Sequence, residues 1–398
     1  MNGTDGQDGD QRPAHHRAEG GFRNPWPTDE PRGLGDFLRW TVVERLTTPR
    51  RPAPTRSEFA AAFPPVRPAF ATPRSSPAGR LLATWVGHST FLLQVGGLNV
   101  LTDPVWSAYA SPVPGAGPRR WTPPAVDFDA LPPIDVVLVS HDHYDHLDAP
   151  TVRRLARRHP SALWLAPLGV ADWLARRGTP NVVECDWWDE AWISASGVVG
   201  GGRSGGRRGS RGGPPTGKVT AAGGAAVPDA RAPRPNDAAA RDEVRARFTC
   251  VPAQHFSGRR VNGRNATLWC GWTLRAGGRS IYYVGDTGYF PTIADASRRG
   301  GGPFDLVLMP VGAYDPRWFM RPVHYAPEDA VRAYQELAAA QGDGPRPPAV
   351  MAGMHWGTFK LTDEPMDEPP RRTREAWALA GLPTEALWIP AHGETREV

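Results

Sequence analysis

Cysteine is scarce in this chain: its 398 residues hold three, Cys185, Cys250 and Cys270, in no paired spacing. A small, scattered set excludes a disulfide framework and fits three independent small hydrophobes in a reducing compartment. Long apolar runs are missing as well, and no window approaches the roughly 18 consecutive apolar residues of a membrane span. The start, Met1 to Asp10, is acidic and glycine-rich and lacks the apolar stretch of a secretory signal. The expectation is a cytoplasmic protein, at most peripheral at a membrane. Aromatic and β-branched residues are nearly absent from residues 197–244, a tract of Gly, Arg, Pro and Ala. Such a composition cannot bury enough surface to offset its ordering entropy, so a disordered insertion is expected there.

Glycine and proline, at 44 each, are abundant but concentrated at the N-terminus and in that tract. The remainder has the makeup of an ordinary folded protein. Residues 1–35 are polar and without periodicity, which predicts a disordered tail. Residues 36–80 read as a helix, with its apolar pattern running from Leu34 to Leu46, followed by a Pro-rich arm containing Phe59, Phe63 and Phe70. Such an arm packs across a domain surface or faces a membrane. Residues 81–398 read as one domain that carries the insertion. The net charge of +5 is compatible with a solvated basic surface, an anionic membrane or nucleic acid.

Strands alternate with helices through the domain, which places it in the α/β class. Short glycine turns separate strands near 83–86, 91–95 and 98–102, implying antiparallel hairpins. The apolar run Ile134–Ser140 reads as a buried strand. It ends in His141-Asp142-His143-Tyr144-Asp145-His146, a His-x-His-x-Asp-His pattern. Imidazole nitrogens and carboxylate oxygens on one rigid edge suit a borderline divalent ion, zinc in particular. Three further strands end in candidate ligands: His255 after Phe248–Val251, Asp286 in Gly285-Asp286-Thr287-Gly288, and His355 after Ala349–Met354. The set fits two metal ions. His141, His143 and His255 would hold the first, Asp145, His146 and His355 the second, and Asp286 would bridge them. Two ions about 3.5–4 Å apart would turn a shared water into a hydroxide near neutral pH. Asp103 and His88 are candidates for orienting ligand histidines, or alternatively for opening and capping their turns.

The arrangement resembles the metallo-β-lactamase superfamily across residues 81–398, apart from the insertion. Segments around Thr84–Phe91, Leu101–Pro104, Gly285–Tyr289, Gly312–Met320 and His355–Phe359 are similar to the N-acylphosphatidylethanolamine-hydrolysing phospholipase D family. The resemblance implies an αββα four-layer sandwich, two Zn²⁺ ions, and attack of a metal-bridging hydroxide on a phospholipid phosphodiester. It also implies that phosphatidic acid and an N-acylethanolamine are released, that Asp286 is catalytic, and that His324, in Pro322–Glu328, contacts the scissile phosphate. His392 matches a C-terminal motif without an assignable role. The insertion has no counterpart in that family, and the N-terminal arm is not recognisable. The alternative is a small-ester hydrolase such as a sugar-phosphate lactonase, and a small polar pocket beside Asp286 would favour it. A di-iron redox centre usually carries a carboxylate where His143 stands. The expected partners are a phospholipid and the surface of a membrane, with a second copy of the chain admitted. Nucleic acid is not expected, because the arginine tract looks unable to fold.

Overall fold

The computed structural model describes residues 12–27, 30–47, 49, 51–72, 79–113, 115–194, 199–203, 244–259, 263–340 and 349–398. Strands β1 (Leu81–Gly87), β2 (Thr90–Val95), β3 (Leu98–Thr102), β4 (Val136–Leu138), β5 (Leu163–Pro167) and β6 (Val182–Cys185) form most of one sheet. Strands β7 (Asp189–Ser194), β8 (Val199–Arg203), β9 (Val244–Val251), β10 (Gly271–Ala276), β11 (Arg279–Tyr283), β12 (Leu306–Pro310), β13 (Val350–Met354) and β14 (Leu387–Trp388) form the second. The chain then returns, and β15 (Thr395–Glu397) pairs antiparallel with β1 at the edge of the first sheet.

Period-2 alternation explains the layers. On β2, Phe91, Leu93 and Val95 enter the core between the sheets, while Leu92 faces the other way. On β4, Val136 and Leu138 point inward and Val137 outward, against Val152 and Leu155 of the helix Ala149–Arg158. Both faces are buried, as expected for parallel strands covered by helices. Across the second sheet, the helix Pro327–Ala339 buries Ala330, Val331, Ala333, Tyr334 and Leu337. The helix Glu368–Leu379 packs beside it, with Trp377 ring-to-ring against Tyr334 at 4.7 Å. The result is the αββα sandwich that the family resemblance implies.

Strand direction places the site. Strands β3 to β6 pair in parallel, as do β11 to β14. Strand β9 is antiparallel to β10, and β10 to β11, so β9 and β11 run the same way. The C-terminal ends of β4, β9, β11 and β13 therefore gather at one edge. The two sheets are tied there, where Cys270 N–H donates to the Ser140 carbonyl at 2.9 Å and Trp272 Nε1 to the Val139 carbonyl at 2.8 Å. The three cysteines are free and buried.

Two expectations need correction. Part of the N-terminal stretch expected to be disordered is held against the domain. His15 Nε2 and His16 Nε2 lie 2.6 and 2.9 Å from the two carboxylate oxygens of Asp186. The His15 ring stacks on Trp187 at 4.2 Å, Phe22 is buried, and Asn24 Nδ2 donates to the His255 carbonyl at 2.9 Å. Local composition cannot register partners roughly 170 residues away, and a few anchoring side chains suffice. The expected insertion 197–244 also includes β8 and the start of β9, whereas 204–243 lies outside the described residues. The Pro-rich arm packs on the domain. Phe59 is buried and stacks on Phe63, which in turn meets Trp356 at 5.5 Å.

Candidate metal centre

The hexapeptide leaves β4 at the junction of the sheets, and all four strand ends deliver their candidate ligands to one place. His143 Nδ1 lies 2.8 Å from His141 Nε2 and 3.2 Å from His255 Nε2. Three ring nitrogens therefore point at one another. Nitrogens bound tetrahedrally at 2.0–2.1 Å would stand roughly 3.3 Å apart, so the spacing suits one cation between them. Beside this group, Asp145 Oδ2 is 3.5 Å from both His146 Nε2 and His355 Nε2. Asp286 Oδ2 is 3.1 Å from both His146 Nε2 and His355 Nε2, and 3.9 Å from both His141 Nε2 and His255 Nε2. One carboxylate oxygen thus faces both groups.

The unsatisfied atoms point the same way. Asp286 Oδ1 is buried with no hydrogen-bond partner, and His146 Nε2 and His355 Nε2 are buried, facing the carboxylates of Asp145 and Asp286 without a well-aligned hydrogen bond. Leaving such groups orphaned costs about 1–3 kcal/mol each, and more when they are charged. A bound cation removes that cost, so these residues fit a metal.

The electrostatics agree. Burial pushes the His143 ring pKa down to about 4 and the His255 ring down to about 3. Burial, with His146, His143 and His255, holds His141 well below its usual range. These rings are neutral, as metal binding requires. Burial opposes ionisation of Asp286 and Asp145, yet His146 holds both carboxylates well below the usual range, with His355 adding to the effect. Burial also opposes charge on His146 and His355, but Asp286 and Asp145 raise His146 well above its ordinary value and His355 to about 9. The carboxylates therefore demand positive charge at this point.

Supporting contacts fix the ligands. Asp103 Oδ2 accepts from His146 Nδ1 at 2.6 Å and from the Tyr283 hydroxyl at 2.5 Å, while the Ser140 hydroxyl donates to the same oxygen. Ser140 Oγ is also 2.9 Å from His141 Nδ1. His255 Nδ1 donates to the Val323 carbonyl at 2.8 Å, which leaves Nε2 as the free nitrogen. His88 Nε2 meets Asp145 Oδ2 at 2.9 Å. His88, Asp103 and His355 all have positive φ, at 56°, 29° and 63°. Such backbone strain costs of order 1–3 kcal/mol per residue and collects at functional sites. Gly312 permits close approach, because a Cβ there would meet the His355 carbonyl oxygen at 2.1 Å.

His324 joins the group. Its Nδ1 lies 3.9 Å from Asp286 Oδ2 and has no hydrogen-bond partner, and burial lowers its pKa to about 3. His392 does not join: its Nε2 meets Thr358 Oγ1 at 3.0 Å and its ring packs on Trp85. Tyr283, Ser140 and Asn24 escaped the sequence reading. The only signal for Tyr283 was its place two residues before Gly285. A cavity of about 1040 Å³ flanks the hexapeptide, lined by Asp142, Tyr144, Trp173 and Arg259, but none of the candidate ligands lines it.

A family model described as the beta-lactamase superfamily domain matches residues 98–211 and 211–356. An uncharacterized protein of Mycobacterium tuberculosis is 38% identical over 314 residues, covering 77% of this chain and 68% of that protein. The N-acyl-phosphatidylethanolamine-hydrolyzing phospholipase D 1 of Caenorhabditis elegans is 33% identical over 301 residues, covering 74% of this chain and 69% of that protein. Among solved structures, an isothiocyanate hydrolase from Delia radicum gut bacteria superposes with a TM-score of 0.51 at 18% identity, covering 79% of this chain and 98% of that one. That likeness concerns the fold alone.

Proposed function

The chain belongs to the beta-lactamase superfamily and is a metal-dependent hydrolase; from this premise we propose that it is a zinc phosphodiesterase that hydrolyses N-acylphosphatidylethanolamine-type phospholipids. The products are phosphatidic acid and an N-acylethanolamine. The observation that carries the reading is Asp286 Oδ2, which faces both histidine groups. The choice of substrate is supported by the similarity to the Caenorhabditis elegans enzyme.

His141, His143 and His255 would hold one zinc ion, and Asp145, His146 and His355 the other, with Asp286 between them. Zinc bound there supplies Lewis acidity toward phosphoryl oxygens and an acidified water near neutral pH. The chain's own residues do the rest. Asp103 fixes the His146 tautomer through Nδ1, so that Nε2 faces inward. His88 fixes the orientation of the Asp145 carboxylate. His324 Nδ1 is buried and unpartnered 3.9 Å from Asp286 Oδ2, and in this reading it contacts the scissile phosphate. As a neutral ring it can present a proton or a lone pair according to tautomer.

A sugar-phosphate lactonase would favour a small polar pocket beside Asp286. The packing beside His143 is apolar instead. Phe256, whose ring is 4.6 Å from that of His143, packs with Trp40, Trp318, Phe319, Met320 and Val323. This favours a lipid over a sugar phosphate. Among the described residues, no helix is long and apolar enough to cross a membrane, so a lipid substrate would be met at the bilayer surface.

The test uses purified protein and N-acylphosphatidylethanolamine, with metal content measured by elemental mass spectrometry. The expected result is release of phosphatidic acid that a chelator abolishes and zinc restores, with two zinc ions per chain. Hydrolysis of a lactone panel without any release of phosphatidic acid would overturn the choice of substrate.

A further inference from the structure

We propose that the N-terminal helical segment is the element that docks this protein on an anionic lipid surface, beside the Trp318–Met320 stretch that precedes His324. The inference rests on the phospholipid reading above and assigns its membrane contact to a place. Three stretches run on from one another: Leu34–Leu38, a π-helical Arg39–Glu44, and Arg45–Thr47. Their amphipathicity is inverted. Trp40 is the buried residue of the first two stretches, and its Nε1 donates to Asp363 Oδ2 at 2.5 Å. The other large apolar side chains face outward: Leu34 is 74% exposed, Phe37 44%, Leu38 51%, Val42 52%, Val43 52% and Leu46 83%. Elsewhere among the described residues only Val66, Val113 and Leu379 are large, apolar and exposed. A surface helix normally turns its apolar stripe inward. A contiguous outward stripe marks an interaction surface.

Two observations select a lipid surface as the occupant. The first is position. Trp40 and Phe37 lie 5.1 and 6.4 Å, ring to ring, from Phe319. Glu44 and the Arg32 guanidinium hold Trp318 by hydrogen bonds. That segment leads within a few residues to His324, and through Phe256 to His143. A packed apolar cluster therefore lies between the exposed stripe and His324 and His143, which sets the stripe on the same side of the molecule as the candidate ligands. The second is charge. Residues 30–51 carry five arginines against Glu30, Asp36 and Glu44; of the five, Arg39 pairs with Glu44, and Arg51 with Asp315 and Glu368. An exposed apolar stripe within a net-basic stretch of sequence matches the interface of an anionic bilayer.

The test compares the full chain with a variant carrying Leu34→Gln, Leu38→Gln, Val42→Gln and Leu46→Gln. Glutamine is a good helix former, so the segment keeps its shape. Co-sedimentation is measured with vesicles of phosphatidylcholine containing phosphatidylglycerol. Partitioning should fall at least about a hundredfold, since each apolar side chain withdrawn from lipid is worth roughly tenfold. Hydrolysis of a water-soluble phosphodiester such as bis-p-nitrophenyl phosphate should be unchanged. Unaltered vesicle partitioning of the variant would overturn the proposal. If size-exclusion chromatography then showed a dimer converted to a monomer, the stripe would be an interface between copies instead. The substrate reading fails separately: a chain that binds vesicles through this segment but hydrolyses no lipid phosphodiester keeps the docking site and loses the substrate.

Discussion

At the scale of single residues, the centre depends on groups that touch no reacting atom. Asp103 gathers His146 Nδ1, the Ser140 amide and hydroxyl, and the Tyr283 hydroxyl on one buried carboxylate. Partners of this kind fix ring tautomer and direction, and their loss typically costs 10–100-fold in metal affinity. Asp103→Ala should therefore weaken zinc binding by about that factor, read by competition with a chelating indicator. Tyr283→Phe should weaken it less, because Ser140 still holds the carboxylate. Equal zinc affinity in Asp103→Ala and the parent would remove Asp103 from the orienting role. The alternation of His and Asp in the hexapeptide was enough to find the ligand candidates. Tyr283 and Ser140 were not found, because one hydroxyl in a strand looks like any other until the opposite sheet places a carboxylate beside it.

At the scale of elements, the strands that carry ligands were the legible ones. Apolar runs ending in His or Asp near 139, 251, 284 and 354 correspond to β4, β9, β11 and β13. Val152 and Leu155 among arginines predict a helix over residues 150–159; the structure has it at Ala149–Arg158, with both side chains buried on the outer face of the first sheet. Leu155→Ala should cost about 2–5 kcal/mol by chemical denaturation, with catalysis unchanged under folding conditions, since the residue lies in the outer core. A cost below about 0.5 kcal/mol, the size of an ordinary surface substitution, would contradict that placement. The short β14 and β15 went unread, because two or three residues carry no periodicity and their pairing is decided by strands already in place. The N-terminal segment was misread for a related reason: its anchors, His15, His16, Phe22 and Asn24, are too few to register in composition.

At the scale of the whole molecule, the candidate ligands bridge the two sheets. His141, His143, Asp145 and His146 follow β4 of one sheet, while His255, Asp286 and His355 follow β9, β11 and β13 of the other. Ions bound between them would join the layers and favour the folded over the unfolded chain. A ligand present at 1,000 times its dissociation constant contributes about 4 kcal/mol. Removing metal with a chelator should therefore lower Tm by at least about 5 °C in scanning fluorimetry, and zinc should restore it. Equal melting of the stripped and loaded protein would show that the site does not link the sheets.

The amino-acid sequence by itself determined the candidate donor set. His-x-His-x-Asp-His at a strand end, with His255, Asp286 and His355 at three others, specifies donor type and count, and these are local properties of residues in order. It also determined the layered α/β class, because the periods of two and of 3.6 residues are written along the chain. What only the tertiary structure decided is where separate stretches meet. The sharing of Asp286 Oδ2 between two histidine groups, the grip of Asp103 on His146, and the seating of residues 12–27 on Asp186 are contacts over tens to hundreds of residues. So is the outward turn of the stripe at Leu34–Leu46, which reads in sequence like any helix with a face to bury. Periodicity tells that a face is apolar. Only the packed neighbours tell whether that face looks into the core or out toward solvent.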